Sequence, residues 1–546
     1  MHKSWPAGLL LLIPPLLATS GCRSDSGSAA RSQGDGAAAR GGGVLVAALS
    51  AAPEHFNPAI TTQGGVHTVS ALLYNGLVEL DEELEPVPAL AERWEVEAGG
   101  RIYRFHLRPD VVWHDGEPFT AADVRYTFEE VLLKYHARTR ASLGTSLEEI
   151  AAPDEHTVEF RFREPYAPLL RQLNVLEAPI LPSHVYAGTD PTRNPANLDP
   201  IGTGPFRFVS YTPGSEIRYE ANPHYFLPGL PRLDRIVFRV IPDNGSRVIA
   251  LEAGEVDWLF GVPGPDQGRL RANPDIELMS SPRSGGGDNC IMTLSFNLDR
   301  PVLRDVRVRR AIAYAIDRDQ FVERVLFGDG RVADAPISSG IPFAHARGLD
   351  MPTFDPAAAR RLLEQAGWSR EAGRVRRAQD VAGVPYGTPL EIDFLHFPAF
   401  TPYGELLRAQ LGRVGVRVRL RALEPAVFVE SVFRDRDFDT NIISYCNSTD
   451  PEIGVRRLYI SANIAPVPFS NSSGYRNASV DSLFDAARST LDTAERRRLY
   501  RQIQGILVED LPYYWIVETL ATRAYRTRCR GFRLTSHFAE RATCSP

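Results

Sequence analysis

Tyr103, Phe105 and Leu107 alternate with Arg104, His106 and Arg108, and Val158, Phe160 and Phe162 alternate with Glu159, Arg161 and Arg163. A period of two sends one set of side chains to a core and the other to water, which predicts two half-buried antiparallel strands. Between them Thr120, with Asp123 three residues on, forms a capping-box pattern and predicts a helix to about Lys134. Asp115-Gly116, within "HDGEPF" (114–119), are turn residues. Further along, the pattern turns helical. Asp305 opens a helix through "VRVRRAIAYAID", and a second segment follows to Gly328. Asp355-Pro356 start a helix that Gly367 ends. "YGELLRAQLGRVGVRVRL" (403–420) predicts a helix, a glycine break and a strand, and Asp492 with Glu495 caps a helix to about Glu509. Helix-then-strand repetition implies α/β lobes whose sheets are covered by helices.

The start of the chain has another character. His2 and Lys3 precede an apolar run from Leu9 to Ala18, and the small residues Thr19, Ser20 and Gly21 lead into Cys22. That order is the signature of a secretory signal over 1–21, too short and too proline-broken to stay in a bilayer. A cysteine directly after small residues resembles the lipobox of bacterial lipoproteins, which implies acylation of Cys22. Residues 22–43 are mostly Gly, Ala, Ser and Arg, without enough apolar surface to offset ordering entropy. They are expected to act as a flexible tether, holding an extracytoplasmic domain to the membrane through the lipid.

The 546 residues carry a formal charge of −6, and the only lysines are Lys3 and Lys134. Mixed signs with slight acidity give no nucleic-acid footprint. The length exceeds one core and predicts two or three lobes. Four cysteines follow Cys22, namely Cys290, Cys446, Cys529 and Cys544; an even number in an exported chain favours disulfides. No C-x-x-C occurs, and the closest histidines, His106 and His114, are eight apart, so neither metal site nor cofactor is expected. "GTGPF" (202–206) lacks a P-loop lysine and reads as a structural turn. Cys446 has no base in its own segment, so catalysis is not expected. An exported hydrolase with a nucleophile at Cys446 or a nearby serine is the competing reading.

Six segments, in order, carry a family resemblance: "LLYNGLVELDEELEPVPALAERWEV" (72–96), "YRFHLRPDVVWHDGEPFTAADVRYTFEEV" (103–131), "IGTGPFRF" (201–208), "SRVIALEAGEVDW" (246–258), "SFNLDRPVLRDVRVRRAIAYAIDRDQFVERVLFGDG" (295–330) and "FDPAAARRLLEQAGW" (354–368). The chain resembles the family 5 extracellular solute-binding proteins, the oligopeptide-, dipeptide- and nickel-binding receptors of bacterial ABC importers. The resemblance implies a type II, cluster C-like periplasmic-binding-protein fold, with two main lobes and a small extra one around a hinge. Lobe I would hold 44–66, 199–284 and 516–546, lobe II 67–198, and lobe III 285–515. It implies a monomeric receptor that closes on a peptide or peptide-like solute and delivers it to a permease and ATPase complex. A non-peptide ligand (an oligosaccharide, an opine-like conjugate or a metal chelate) is the alternative. A sensory or chaperone subunit is a third reading.

"FDTNIISYCNSTDPE" (438–452) resembles the family's pocket segment, in which an aspartate pairs with a peptide's ammonium group. Tyr445 falls at its aromatic position, Ser448 at the ammonium-binding aspartate and Asp450-Pro451 at a later pair; Asp450 is a possible substitute. Tyr445, Asn447, Ser448 and Asp450 are therefore expected to line lobe III's side of the cleft, facing Thr61, Thr62 and Gln63. Dipeptide-binding members carry a carboxylate-binding arginine near the position of Pro398. None stands here, and Phe397 and Phe400 form either an apolar wall or plain core. On the same resemblance Cys290 is expected to pair with Cys446. Cys529 is expected to pair with Cys544, in a tail expected to be mobile.

Overall fold

The alternating segments pair side by side. In the computed structural model, which describes residues 42–280, 289–369 and 375–545, Ile102–Leu107 lies between Ala91–Glu97 and Thr157–Phe162 in a four-stranded antiparallel sheet completed by Leu147–Asp154. Tyr103, Phe105, Phe160 and Phe162 enter the core as their phase requires. Glu159, expected in solvent, is buried instead, because Arg104 and Arg161 close over its carboxylate from the same sheet face. The signal segment, Cys22 and the expected tether as far as Gly41 lie outside the described residues.

The predicted caps hold their helices. Thr120 and Asp123 form the reciprocal capping box of Ala121–Tyr126, which continues through a wider π-type turn to Tyr135. The Asp355 carboxylate accepts from the N–H groups of Ala357 and Ala358, and Asp492 accepts from Glu495 N–H. "GTGPF" is structural. A Cβ on Gly202 would stand 1.8 Å from the carbonyl oxygen of Leu73, and one on Gly204 2.4 Å from its carbonyl carbon. His114 holds this turn: its Nδ1 accepts from Gly202 N–H and its Nε2 meets the Gly204 carbonyl. Burial pushes that imidazole down to about 4, so it stays neutral.

Two further sheets complete the fold. A seven-stranded sheet runs Ile276–Met279, Arg523–Arg526, Trp258–Leu259, Val44–Leu49, Arg235–Val240, Glu216–Ala221, Phe206–Thr212. A six-stranded sheet runs Gly330–Val332, Tyr513–Thr519, Cys290–Phe296, Thr440–Cys446, Glu391–His396, Arg417–Ala422. Tyr513–Thr519 therefore carries the third lobe's sheet to residue 519, where 515 was expected; Tyr513 to Glu518 pair with Ser295 to Ile291 across a bulge between Met292 and Thr293. The first and second lobes share one continuous apolar core, from Leu45 through Phe105 to Trp258. The third has its own, from Ile291 to Val517. A smaller cluster that includes Ala48, Leu251 and Ala524 belongs to the first lobe alone, while the larger one ties the first lobe to the second.

The C-terminal segment is not a loose tail. Cys529–Arg530 pairs with Thr543–Cys544, a disulfide joins Cys529 to Cys544, and Phe532 and Phe538 pack on the ring of Trp258. Four buried apolar residues in that stretch (Phe532, Phe538, Ala539 and Ala542) outweigh the ordering entropy that a mobile tail would keep.

Candidate ligand-binding site

A cavity of about 340 Å³ opens where the three lobes meet. The first lobe presents Thr62 and the helix Gly64–Ser70, which begins after Gln63 leaves the chain in an extended conformation. His67 on that helix is buried and bonds through Nε2 to the Thr61 carbonyl at 2.9 Å. The second lobe presents Arg138, from the helix Ala137–Leu143, which starts where His136 Nδ1 accepts from Thr139 N–H. The third lobe contributes Cys446, at the end of its strand and bridged to Cys290 directly opposite. The bridge matches the expected pairing and leaves no thiol for a nucleophile at Cys446.

The charged side chains on the described lining are arginines. Arg138 and Arg523 line the cavity, and no carboxylate side chain does among the described residues. Glu177 stands behind Arg138, accepting from its Nε at 3.0 Å, and is buried. Arg457 lies in the same electrostatic neighbourhood; burial, then the charge of Arg138, pushes it down to about 10, so it remains protonated at neutral pH. His136, whose ring meets that of His67 edge-on, is lowered well below the usual range by burial first and by Arg138 second.

The residues expected to line the third lobe's side have other partners. Tyr445 is 1% exposed, packs edge-on to Tyr513 and bonds to Ser472 through its hydroxyl. Asn447 accepts from Ser338 N–H through Oδ1. Both carboxylate oxygens of Asp450 accept from Arg496, at 2.9 Å each, in a pair with no exposed surface on the acid. Asp450 also accepts from Glu452 N–H at the start of Pro451–Gly454. It is a helix cap in a buried ion pair, a correction to its expected place on the ligand. Ser448 donates to Glu177 across the lobes. Phe397 packs tilted against Phe428 and Phe400 edge-on to Tyr403, at the edge of the third lobe's core and away from the cavity lining. Of the first-lobe trio, Thr62 reaches the cavity, while Thr61 and Gln63 shape the turn that delivers it.

Sequence reasoning passed over His67, Arg138, Glu177, Arg523, Thr535 and Ser536, which belong to the cavity or back it. Each sits in a stretch whose pattern is that of an ordinary surface element, and no local spacing unites them.

Residues 85–465 match the description "Bacterial extracellular solute-binding proteins, family 5 Middle". The chain belongs to that family. Among curated relatives of this solute-binding protein is the dipeptide-binding protein of Escherichia coli K12, 29% identical over 512 residues that cover 90% of this chain and 92% of the relative. Among solved structures, NikA from Brucella suis in complex with Fe(III)-EDTA superposes with a TM-score of 0.81 at 26% identity, covering 92% of this chain and all of that one. AgaA from A. tumefaciens R10 in complex with agropinic acid gives 0.74 at 25% identity over 92% of this chain and 99% of that one. The type II binding-protein fold is the one expected. Such family members are binding proteins of the extracytoplasmic space, and no described helix of this chain is long and apolar enough to cross a membrane.

Proposed function

We propose that this solute-binding protein captures a small peptide or peptide-like solute by its carboxylate and delivers it to the permease of an ABC importer. The observation that carries the reading is the placement of Arg138 and Arg523 on a cavity without an acidic side chain among its described lining residues. A guanidinium offers a rigid fork that suits a carboxylate, and each such charged hydrogen bond contributes about 1.5–3 kcal/mol. A free ammonium finds no matching carboxylate on the described lining, since Glu177 is committed to Arg138 and Ser448. The volume is at the low end for ligand sites, which favours a dipeptide-sized solute over a long peptide.

The same two cations suit a compact polycarboxylate, and relatives solved with Fe(III)-EDTA and with agropinic acid support that second reading. Delivery would be from the outer face of a membrane, with Cys22 acylated; Cys22→Ser is expected to release the protein into the soluble fraction. Calorimetry with a dipeptide panel in free, C-amidated and N-acetylated forms tests the ligand class. Amidation is expected to cost about tenfold or more in affinity and acetylation much less. The reverse order would reject recognition through the carboxylate.

A further inference from the structure

The loop between Cys529 and Cys544 is fastened on every side except one. Its base is the disulfide and the paired strands Cys529–Arg530 and Thr543–Cys544. Arg533 N–H donates to the Phe538 carbonyl across the loop's own neck. His537, buried, bonds through Nε2 to the Tyr74 carbonyl at 3.1 Å, and Phe538 packs 5.0 Å from Trp258. Ala539 and Ala542 are fully buried, Arg232 N–H donates to Glu540 O, and Cys544 N–H donates to Gly42 O. What remains is the crown, Thr535 and Ser536, which line the same cavity as Arg138 and Arg523.

Neither crown hydroxyl has a hydrogen-bond partner among the described residues, and both side chains are partly exposed to the cavity. Two hydroxyls held by a rigid frame, with their bonding capacity unspent, suit a polar solute without a further ordering cost. A structural loop would instead bond these groups to its own backbone, as Ser470 does to the Ala465 carbonyl elsewhere in the chain.

We propose that Thr535 and Ser536 contact the ligand and determine which solute is preferred, the disulfide-closed loop being a specificity wall of the cavity. The proposal rests on the cavity being the ligand site, but not on the ligand being a peptide. Such neutral groups, each donor and acceptor, select the polar middle of a solute whose anionic end the arginines hold.

Two measurements test it. Calorimetry of the dipeptide panel against wild type and the double variant Thr535→Val/Ser536→Ala is expected to show about a tenfold loss for the preferred dipeptide and a changed order of preference, at an unchanged melting temperature. Unchanged affinities and order would overturn the proposal. Should no dipeptide bind wild type, the peptide reading fails and the loop is judged on its own. Ser536→Cys is alkylated with iodoacetamide with and without the low-molecular-mass fraction of a bacterial culture filtrate. Slower alkylation in its presence supports the wall, and equal rates overturn it.

Discussion

Ser448 Oγ donates to Glu177 Oε1 at 2.7 Å, linking the third lobe to the second across 271 positions of sequence. Thr449, which donates to the Arg171 carbonyl, and Arg171, whose guanidinium lies 4.6 Å from the Phe343 ring, repeat the link nearby. Because the second and third lobes have separate cores, these contacts join the two rather than hold the fold of either. Ser448 has a φ of 57°, a left-handed conformation that aspartate also tolerates. Ser448→Asp therefore leaves the backbone in place but sets two carboxylates against each other. One of them acquires a raised pKa, so closure is retained at low pH and lost as pH rises through that value. Calorimetry with the preferred ligand is expected to show weaker binding at about pH 8 than wild type, with recovery towards pH 5. Tighter binding at pH 8 would mean that the new carboxylate meets the ligand instead of Glu177.

Asp450 invites a test that separates stability from recognition. Asp450→Asn leaves the buried Arg496 guanidinium without its counter-charge, and breaking such a pair costs about 3–5 kcal/mol. The Arg496 guanidinium also stacks over Phe343 and bonds to Tyr500, so the damage falls within the third lobe and at its edge. Urea unfolding is expected to move to a clearly lower midpoint. A variant with wild-type stability and no ligand binding would return Asp450 to the ligand.

Tyr445 belongs to the same distinction. Its ring is enclosed by the third lobe's core, so Tyr445→Ala is expected to lose about 3–5 kcal/mol of folding stability through the cavity left behind. Tyr445→Phe loses only the bond to Ser472, about 1 kcal/mol. Denaturant curves of the two variants check this, and equal effects would contradict a packing role.

Much of the architecture was legible because period and caps are local. Tyr103 and Phe105, Thr120 with Asp123, and Asp355 before Pro356 act within a few residues, and local physics suffices for them. The long resemblance supplied the family, its fold and the Cys290–Cys446 bridge. The site was less legible for a physical reason. Thr62, Arg138 and Arg523 come from three distant segments, and only the folded topology brings them to one cavity. The pocket segment misled in detail because a residue's place in a motif does not say what it meets. Arg496, 46 positions away, decided the role of Asp450, and Glu177 decided that of Ser448. The C-terminal crown escaped notice because hydroxyls between cysteines carry no distinctive pattern.

Glu452 supplies a pH dependence that these contacts would not show. Its side chain lies at the joint of the second and third lobes, where Pro451–Gly454 packs against Ala137–Leu143. Burial pushes its carboxyl up to about 8, offset by Arg456 and Arg488, reinforced by Asp450 and offset again by Arg496; the Tyr166 phenol feels its charge from the second lobe. Arg456 Nε is 3.5 Å from Oε2, and no hydrogen bond reaches that oxygen from the described residues. A carboxyl whose folded pKa lies above its unfolded one favours the folded state fully only below the unfolded value, near 4.5. The advantage falls away as pH rises towards 8 and is then gone. Glu452→Gln keeps the shape and removes the titration. Melting curves of variant and wild type are expected to coincide near about pH 4.5 and to separate on the way to about pH 8, the variant becoming the more stable. Curves that run parallel across that range would show that Arg456 and Arg488 keep Glu452 ionised throughout.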